Sequence, residues 1–502
     1  MKQTIFLLTF CFFLTICSPA IFAQASRPAF SGHNFYYGDL HGHSGYSQDG
    51  VGEPDAAYDT ARSKYNDFYS LTEHDEAFIS NPYLCLSGVD NSKAGTTGFS
   101  CAKSINLGTA QKWQNLKTIA LNKNQPGQFV AFYGFEWTHS GGHLNVFEAP
   151  TFVNPPYTLD NFYSSISQHS DKSNLFVSFN HPASTGNMDF RLPVGSTDQK
   201  TIFTYRSTIA PYAYMIETNN FAAYYPKALK KGYKLGATGY GDGHNAAQAG
   251  TRRYGILATD LSKESLISAI KNRQTFGVLD GRAGSSNFPL AIALKVNGQL
   301  MGGATQFNGS ISYQIYVRDD LKKVESVELR YGGYDYSSDN YQAAVFQNLG
   351  NEKTIDGTFS AFAFSAPKRA KFVYAVAKQR DSKNNLIEVA WSSPVWINYQ
   401  ANYTPQVDTS TPTPIPPTTT PSMVSPSPTL IPATLTPTQT PSSPTPTKAI
   451  PTPTVAKTCF DGCYGSQTNC SINCGIPCTK FYGSQVLSQC GWASTVAYRC
   501  CR

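Results

Sequence analysis

Apolar positions along this chain follow two distinct rhythms. From about residue 288 to 399 they alternate with polar ones. Ile311, Tyr313, Ile315 and Val317 interleave with Ser312, Gln314, Tyr316 and Arg318, which is the period of two of a half-buried strand. Val327 and Leu329 repeat the pattern, Phe372, Tyr374 and Val376 do so again, and Gly332-Gly333 supplies a turn between runs. The pattern predicts a β-sandwich over 288–399. It holds no histidine or cysteine, so its expected role is structural or carbohydrate-binding.

Residues 34–285 carry short continuous apolar runs instead. Phe129-Val130-Ala131-Phe132 and residues 175–179 read as buried strands. Helical stretches lie between such runs. The stretch 53–65 is acidic in its first turns and basic near its end, which suits the helix dipole. The stretch 261–273 places Leu266, Ile267 and Ile270 on one face. Strands alternating with helices predict an α/β domain with a largely parallel sheet or barrel.

The ends of the chain differ from both. Residues 1–25 read as a secretory signal: Lys2, an apolar run over 5–16, then Ala23-Gln24-Ala25 before the cut. The competing reading is an uncleaved anchor. Residues 402–457 hold 15 of the 31 prolines, mostly as Thr-Pro repeats. Proline blocks helices and removes ladder donors, so a disordered, extended linker is expected. Eight of the 12 cysteines crowd into 458–502. This predicts a small disulfide-rich module, with zinc as the alternative. On its stalk the module fits attachment to a surface or polysaccharide ligand. Cys85 and Cys101 lie in one Gly/Ser-rich loop, each the other's only nearby partner, and are expected to pair.

Composition sharpens the picture in three ways. Charged residues are only 15% and hydrophobic ones 41%, which excludes a coiled coil and permits a large core. The net charge of +7 is dilute over 502 residues. It excludes a dedicated nucleic-acid binder and slightly favours anionic partners. No stretch after residue 25 holds the ~18 continuous apolar residues of a membrane span. Signal and cysteines together place the protein outside the cell or on its surface.

All nine histidines lie between His33 and His244. His41 and His43 follow the run Phe35-Tyr36-Tyr37; at i and i+2 of an extended chain they share a face and can grip one ion. Asp49 follows in a turn, then Glu73-His74, Glu136, His143, His181 and the pair Asp242-Gly243-His244, most of them ending or following an apolar run. Loops at the carboxyl ends of strands are where α/β barrels place their chemistry. Six histidines with carboxylates suit zinc, manganese or iron. His33, His139 and His169 are left outside this set, although His139 stands four residues before His143.

These motifs resemble those of the PHP family, the polymerase-and-histidinol-phosphatase metal hydrolases. Within it the chain is most similar to an exported branch that includes carbaryl-hydrolase-like proteins. The resemblance covers about residues 34–285, and the sandwich after it also fits. It implies a distorted (β/α)7 barrel with two or three divalent ions at its mouth. His41 and His43 match the opening His-x-His, and Asp49 and His74 the ligands after it. Glu136 matches a bridging carboxylate, His143 and His181 the second ion's pair, and Asp242 and His244 the closing Asp-x-His. By this analogy the first ion takes His41, His43, Glu136 and Asp242. The second takes Glu136, His143 and His181, and the third Asp49, His74 and His244. Glu136, Asp242 and His181 are the implied catalytic residues. Glu73 departs from the family's pattern, which has an aspartate before that histidine.

A bridged metal cluster makes hydroxide available near neutral pH and clamps developing charge. The expected activity is hydrolysis of a small anionic or ester substrate, phosphoesters first, with Arg252 and Arg253 as a candidate phosphate fork. A solvated turn is the other reading of that pair. A carboxylic ester or carbamate hydrolase is the second enzymatic reading. A surface-binding protein that keeps the metals for structure is the third.

Overall fold

The computed structural model describes residues 27–399 except 91–99, 140–141, 153–157, 183–202, 220–221, 280–284, 334–340, 361–368 and 381–385, together with 459–462, 479–481 and 497–501. The expected signal segment 1–25 and the expected linker 402–457 lie outside the described residues. Residues Met1–Tyr403 form one compact unit and Thr404–Arg502 another. Among the described residues no helix is long and apolar enough to cross a membrane.

Eleven strands of the first unit frame the histidines. They are β1 (His33–Asp39), β2 (Phe68–His74), β3 (Tyr83–Asp90), β4 (Ser100–Asn106), β5 (Val130–His139), β6 (Gly142–Phe147), β7 (Phe176–Asn180), β8 (Ala213–Glu217), β9 (Gly236–Thr238), β10 (Tyr254–Ala258) and β11 (Thr275–Leu279). Helices α1 (Pro54–Ser63), α2 (Glu76–Ile79), α3 (Thr109–Lys123), α4 (Leu159–Ser167), α5 (Tyr225–Lys230) and α6 (Lys263–Lys271) lie between them. The sequence explains the helix ends. Glu53 is the N-cap of α1, with Pro54 pre-set for its first turn, Asp55 in that turn and Arg62 in the last. In α6 the Ser262 side chain accepts the Ser265 N–H, and Leu266, Ile267 and Ile270 are buried. Burying each of those three contributes ~1.5–3 kcal/mol.

The expected (β/α)7 barrel does not form. The main sheet is mixed and open, in the order β9-β8-β7-β6-β5-β2-β1-β10-β11. Along this order only β1/β2, β2/β5, β7/β8 and β8/β9 are parallel. β6 starts three residues after β5 ends and pairs with it antiparallel. A connection that short permits only a hairpin, because a parallel return needs a dozen residues or more. β10 is likewise antiparallel to both neighbours, β1 and β11. β11 approaches β9 without a ladder: a Cβ at Gly277 would lie 2.7 Å from Thr238 O, so glycine is required there. The architecture is therefore a strand-rich α/β fold with few helices.

β11 does not end the sheet. It pairs with a strand of the alternating region, Leu386–Ser392, through Phe276–Ser392 and Val278–Ala390. The 288–399 region contributes that strand and Phe372–Arg380, Val324–Gly332 and Tyr341–Gly350 to the main sheet. A second sheet holds Ala291–Val296, Ser310–Arg318 and Glu352–Ser360. One apolar core lies between them, joining Ile311, Ile315, Val317, Val327 and Leu329 to Phe35, Tyr37 and Phe276. The alternation holds at Ile311, Tyr313, Ile315 and Val317, all buried. Tyr316 breaks it by being buried as well, with ring centroids 5.5 Å from Phe30 and 5.4 Å from Phe35.

In the second unit, Cys459–Gly462 and Thr479–Phe481 both pair antiparallel with Ala497–Cys501. The side chains there, and so the predicted disulfides of 458–502, lie outside the described residues.

Cys85 and Cys101 are joined by a disulfide across the β3–β4 hairpin. Their separation is 16 residues, and closing a loop of that size stabilises the fold by ~3 kcal/mol in the chain-entropy model. Replacing both with serine should lower unfolding free energy by about that much. Denaturant titration of the double variant checks it, and an unchanged midpoint contradicts it.

Candidate metal centre

Strand ends and the turns after them build the site. β1 stops at Asp39, whose buried carboxylate accepts the His41 N–H at 3.0 Å and the Gly241 N–H at 3.1 Å. One acid thereby ties the His41-Gly42-His43 segment to the segment bearing Asp242 and His244. Backbone bonds finish the seam: Asp242 N–H to His41 O at 3.0 Å, His43 N–H to Gly243 O at 2.8 Å and Thr72 N–H to Gly42 O at 2.9 Å. In the β2–β5 ladder His74 pairs with Glu136, and in the β5–β6 ladder Glu136 pairs with Asn145. His143 pairs with Asn180 in the next ladder, one residue before His181. The His181 N–H donates to Glu217 at the end of β8. His181 (φ 21°) and Asp242 (φ 50°) have left-handed backbones. Such strain costs ~1–3 kcal/mol per residue and gathers at functional sites.

The Asp49 turn has few apolar side chains, and a buried cation secures it. Lys112 Nζ donates to the carbonyls of Tyr46 (3.1 Å), Asn81 (2.7 Å) and Tyr83 (2.7 Å). Burial pushes its pKa down to about 8. The Gly45 carbonyl and Gly52 N–H also bond the Cys85 backbone, at 2.8 and 2.9 Å. The disulfide hairpin therefore backs the turn that presents Asp49.

These elements bring all nine expected ligands together. His41 Nε2 lies 3.3 Å from Glu136 Oε1 and 3.3 Å from Asp242 Oδ1, and His43 Nε2 lies 3.2 Å from Asp242 Oδ1. His181 Nε2 and His143 Nδ1 lie 3.1 and 3.4 Å from Glu136 Oε1. His74 Nδ1 lies 3.1 Å from Glu136 Oε2, and its Nε2 lies 3.3 Å from Asp49 Oδ2. His244 Nε2 lies 3.2 Å from the same Asp49 oxygen. Three groups have donor atoms close enough to hold an ion: His41, His43, Glu136 and Asp242; Glu136, His143 and His181; and His43, His74 and His244. His43 thus borders the third group as well as the first. Glu136 stands between the clusters, one oxygen toward His143 and His181 and the other toward His74.

The charges fit a cation. Burial opposes ionisation of Glu136, yet His41, His143 and His181 hold it well below the usual carboxylate range. Asp49 and Asp242 are likewise lowered despite burial, Asp49 by His244 and His74, Asp242 by His41 and His43. Asp49 Oδ1 is buried without a hydrogen-bond partner among the described residues. Such oxygens are costly unless something cationic meets them. His41 is pushed up to about 9: burial alone would lower it, but Glu136 and Asp242 outweigh that. His43 is pushed down to about 3 by burial and by His74 and His244. The mixed imidazole and carboxylate donors suit a borderline divalent ion.

A ligand must shed its proton before a metal binds. Metal-free His41 keeps its proton up to about pH 9, so metal uptake at pH 7 should release protons, and affinity should rise with pH toward that value. The stability linkage has the opposite sense. A raised histidine stabilises the metal-free fold fully below its unfolded value of ~6.5, and this is lost as pH rises through about 9. Calorimetric zinc titrations in two buffers of different ionisation enthalpy test the release, and equal apparent enthalpies contradict it.

Other expected residues fall elsewhere. Arg253 is buried, and its guanidinium donates to Ser285 O at 3.1 Å and Asn287 O at 3.5 Å. It braces the turn into the sandwich rather than standing free as a phosphate fork, because a desolvated guanidinium must spend its donors on buried carbonyls. Arg252 is half-buried and forms no ion pair with the cluster among the described residues. His33 Nδ1 faces Ser31 O at 3.0 Å, and the His139 side chain lies outside the described residues. Asp39 and Glu217 were not anticipated. Burial pushes both carboxyls up to about 7, partly offset by bonds from His41 and Gly241 at Asp39 and by His181 at Glu217. The rule that points to Glu136 points also to Glu217, which ends the apolar run Ala213–Glu217.

No family model matches the chain, and no curated protein does. Among solved structures, a Niemann-Pick type C2 protein from Japanese carpenter ant is similar at 11% identity over 22% of this chain and 97% of its own. Its TM-score is 0.15, too slight a likeness to bear on fold or function.

Proposed function

We propose that this protein is an exported metal-dependent hydrolase of ester bonds, resembling the PHP family in its ligands. The observation that carries the reading is Glu136, a buried carboxylate with one oxygen 3.1 Å from His181 and the other 3.1 Å from His74. A carboxylate set between two groups of imidazoles suits two or three ions of zinc, manganese or iron. Such ions, when bound, supply an activated water and a clamp for developing charge.

The chain's own residues supply the rest. His41, His43 and Asp242 would hold one ion with Glu136, His143 and His181 a second, and Asp49, His74 and His244 a third. Asn180 Nδ2 donates to Glu136 Oε1 at 3.0 Å, fixing the carboxylate plane. Glu217 holds the His181 backbone. Asp242 and His244 are the more exposed members, 38% and 33%, so a substrate reaches the cluster from their side. The Cys85–Cys101 disulfide supports an oxidising compartment, and with it secretion or a place on the cell surface. The module at 458–502 would then serve attachment to a surface or polysaccharide.

Phosphoesters are the first substrate class. The engagement of Arg253 by Ser285 and Asn287 weakens the cationic argument for them. Hydrolysis of a carboxylic ester or carbamate is therefore the second reading. Nitrophenyl phosphate, its bis-ester and nitrophenyl acetate, assayed with the metal-loaded full chain, separate the two. Turnover of a phosphoester well above that of the acetate is expected. The reverse ranking favours the second reading, and no turnover of any ester overturns both.

A further inference from the structure

We propose that Glu73 and Ser47 form a buried relay that fixes His43 as its Nδ1–H tautomer and so presents the Nε2 lone pair to the ligand cluster. The inference rests on the metal-centre reading and adds positioning residues to it.

Glu73 ends the buried part of β2, one residue before His74, and is fully enclosed. Its carboxylate receives four donors. The Ser44 N–H lies 3.0 Å from Oε2 and the Ser44 hydroxyl 2.5 Å from Oε1. The Ser47 N–H and hydroxyl lie 3.1 and 2.6 Å from Oε2. The Oε2 atom accepts from two backbone N–H groups, which can only donate, and at 2.6 Å it takes the single hydrogen of Ser47 Oγ as well.

Ser47 Oγ has two further neighbours. The His74 backbone N–H lies 3.1 Å away and His43 Nδ1 also 3.1 Å away. The hydroxyl's hydrogen is already placed, so toward His43 it acts as acceptor and Nδ1 carries the hydrogen. In a neutral imidazole the other nitrogen then bears the lone pair. That nitrogen, Nε2, lies 3.2 Å from His41 Nε2, whose hydrogen it can accept, and 3.2 Å from Asp242 Oδ1.

Two serines three apart, after His43 and facing Glu73, thus convert a buried acid into a choice of tautomer. Glu73 stands where the resembled family has an aspartate, and its longer side chain meets both serines. Groups that orient a ligating histidine in this way typically carry 10–100-fold in metal affinity, by rough precedent.

The test is nitrogen NMR on metal-free full-length protein with ¹⁵N-labelled histidine, using His43→Asn to assign the resonance. His43 is expected to show hydrogen on Nδ1 and a bare Nε2. In Ser47→Ala the two tautomers should mix, and zinc affinity should fall roughly 10–100-fold. Ser47→Thr, which keeps the hydroxyl, should recover most of that loss. Hydrogen on Nε2 of wild-type His43 overturns the proposal. So does a folded Ser47→Ala that keeps the wild-type tautomer and affinity. If Ser47→Ala does not fold, the wild-type spectrum decides alone. A wild type that shows the Nδ1–H tautomer but takes up no zinc sinks the metal reading and leaves the relay standing.

Discussion

Glu136→Ala should strip the protein of metal at two positions and cut turnover by roughly 10³-fold or more, about 4 kcal/mol of barrier. The expectation follows from where the side chain sits. Its Oε1 lies within 3.4 Å of His41, His143 and His181, and its Oε2 lies 3.1 Å from His74. Asp242 also reaches imidazoles of all three groups, but its oxygens lie 3.9 Å from His181 and 3.8 Å from His244, farther than any of these Glu136 contacts. Removing it leaves four imidazoles without their shared counter-charge, at a position only 1% exposed. Elemental analysis and rates on the purified variant read both effects together. A variant that keeps full metal and full rate would remove Glu136 from the mechanism.

His43→Ala should cost more than His244→Ala. The His43 ring centroid lies 4.2 Å from that of His74 and 4.3 Å from that of His244, while its Nε2 lies 3.2 Å from Asp242. It belongs to two ligand groups, whereas His244 belongs only to the third among the described residues, with Nε2 3.2 Å from Asp49. Loss of His244 should empty one position and spare the others. Loss of His43 should disturb two, with a rate penalty roughly ten-fold larger or more, a difference of over about 1.4 kcal/mol. His33→Ala is the control, since among the described residues its one hydrogen-bond neighbour is the Ser31 carbonyl, at 3.0 Å. Equal metal content in the two cluster variants would contradict the shared role of His43.

Much of the ligand cluster is legible in the sequence because most of its members end or follow a strand-like run. The strands β1, β2, β5 and β7 run in one direction, so His41, His74, Glu136 and His181, toward or just past their carboxyl ends, meet at one edge even though the barrel does not form. Direction is harder to read. The run around Leu144 looks like any buried strand, and only its three-residue distance from β5 marks it as a hairpin return. The pairing of Gly277 with Trp391, which carries the sheet into the sandwich, joins residues more than a hundred positions apart. No local period encodes such a contact. Asp39 and Ser47 were hidden for a different reason. A buried acid that caps backbone N–H groups resembles a surface acid until the partner at Gly241 is known. The place of Arg253 is hidden in the same way, because nothing in a pair of adjacent arginines says that one guanidinium is inside, bonded to carbonyls.

The central claim, that Glu136 organises a divalent-metal hydrolytic centre, meets its most direct test in one measurement. Full-length protein is purified without added chelator and analysed for zinc, manganese and iron. Ester hydrolysis is followed before chelation, after it, and after metal is restored. Two or three ions per chain are expected, with activity lost on their removal and regained on their return. A protein that carries and binds no such ion, or hydrolysis that survives complete chelation, would contradict the account.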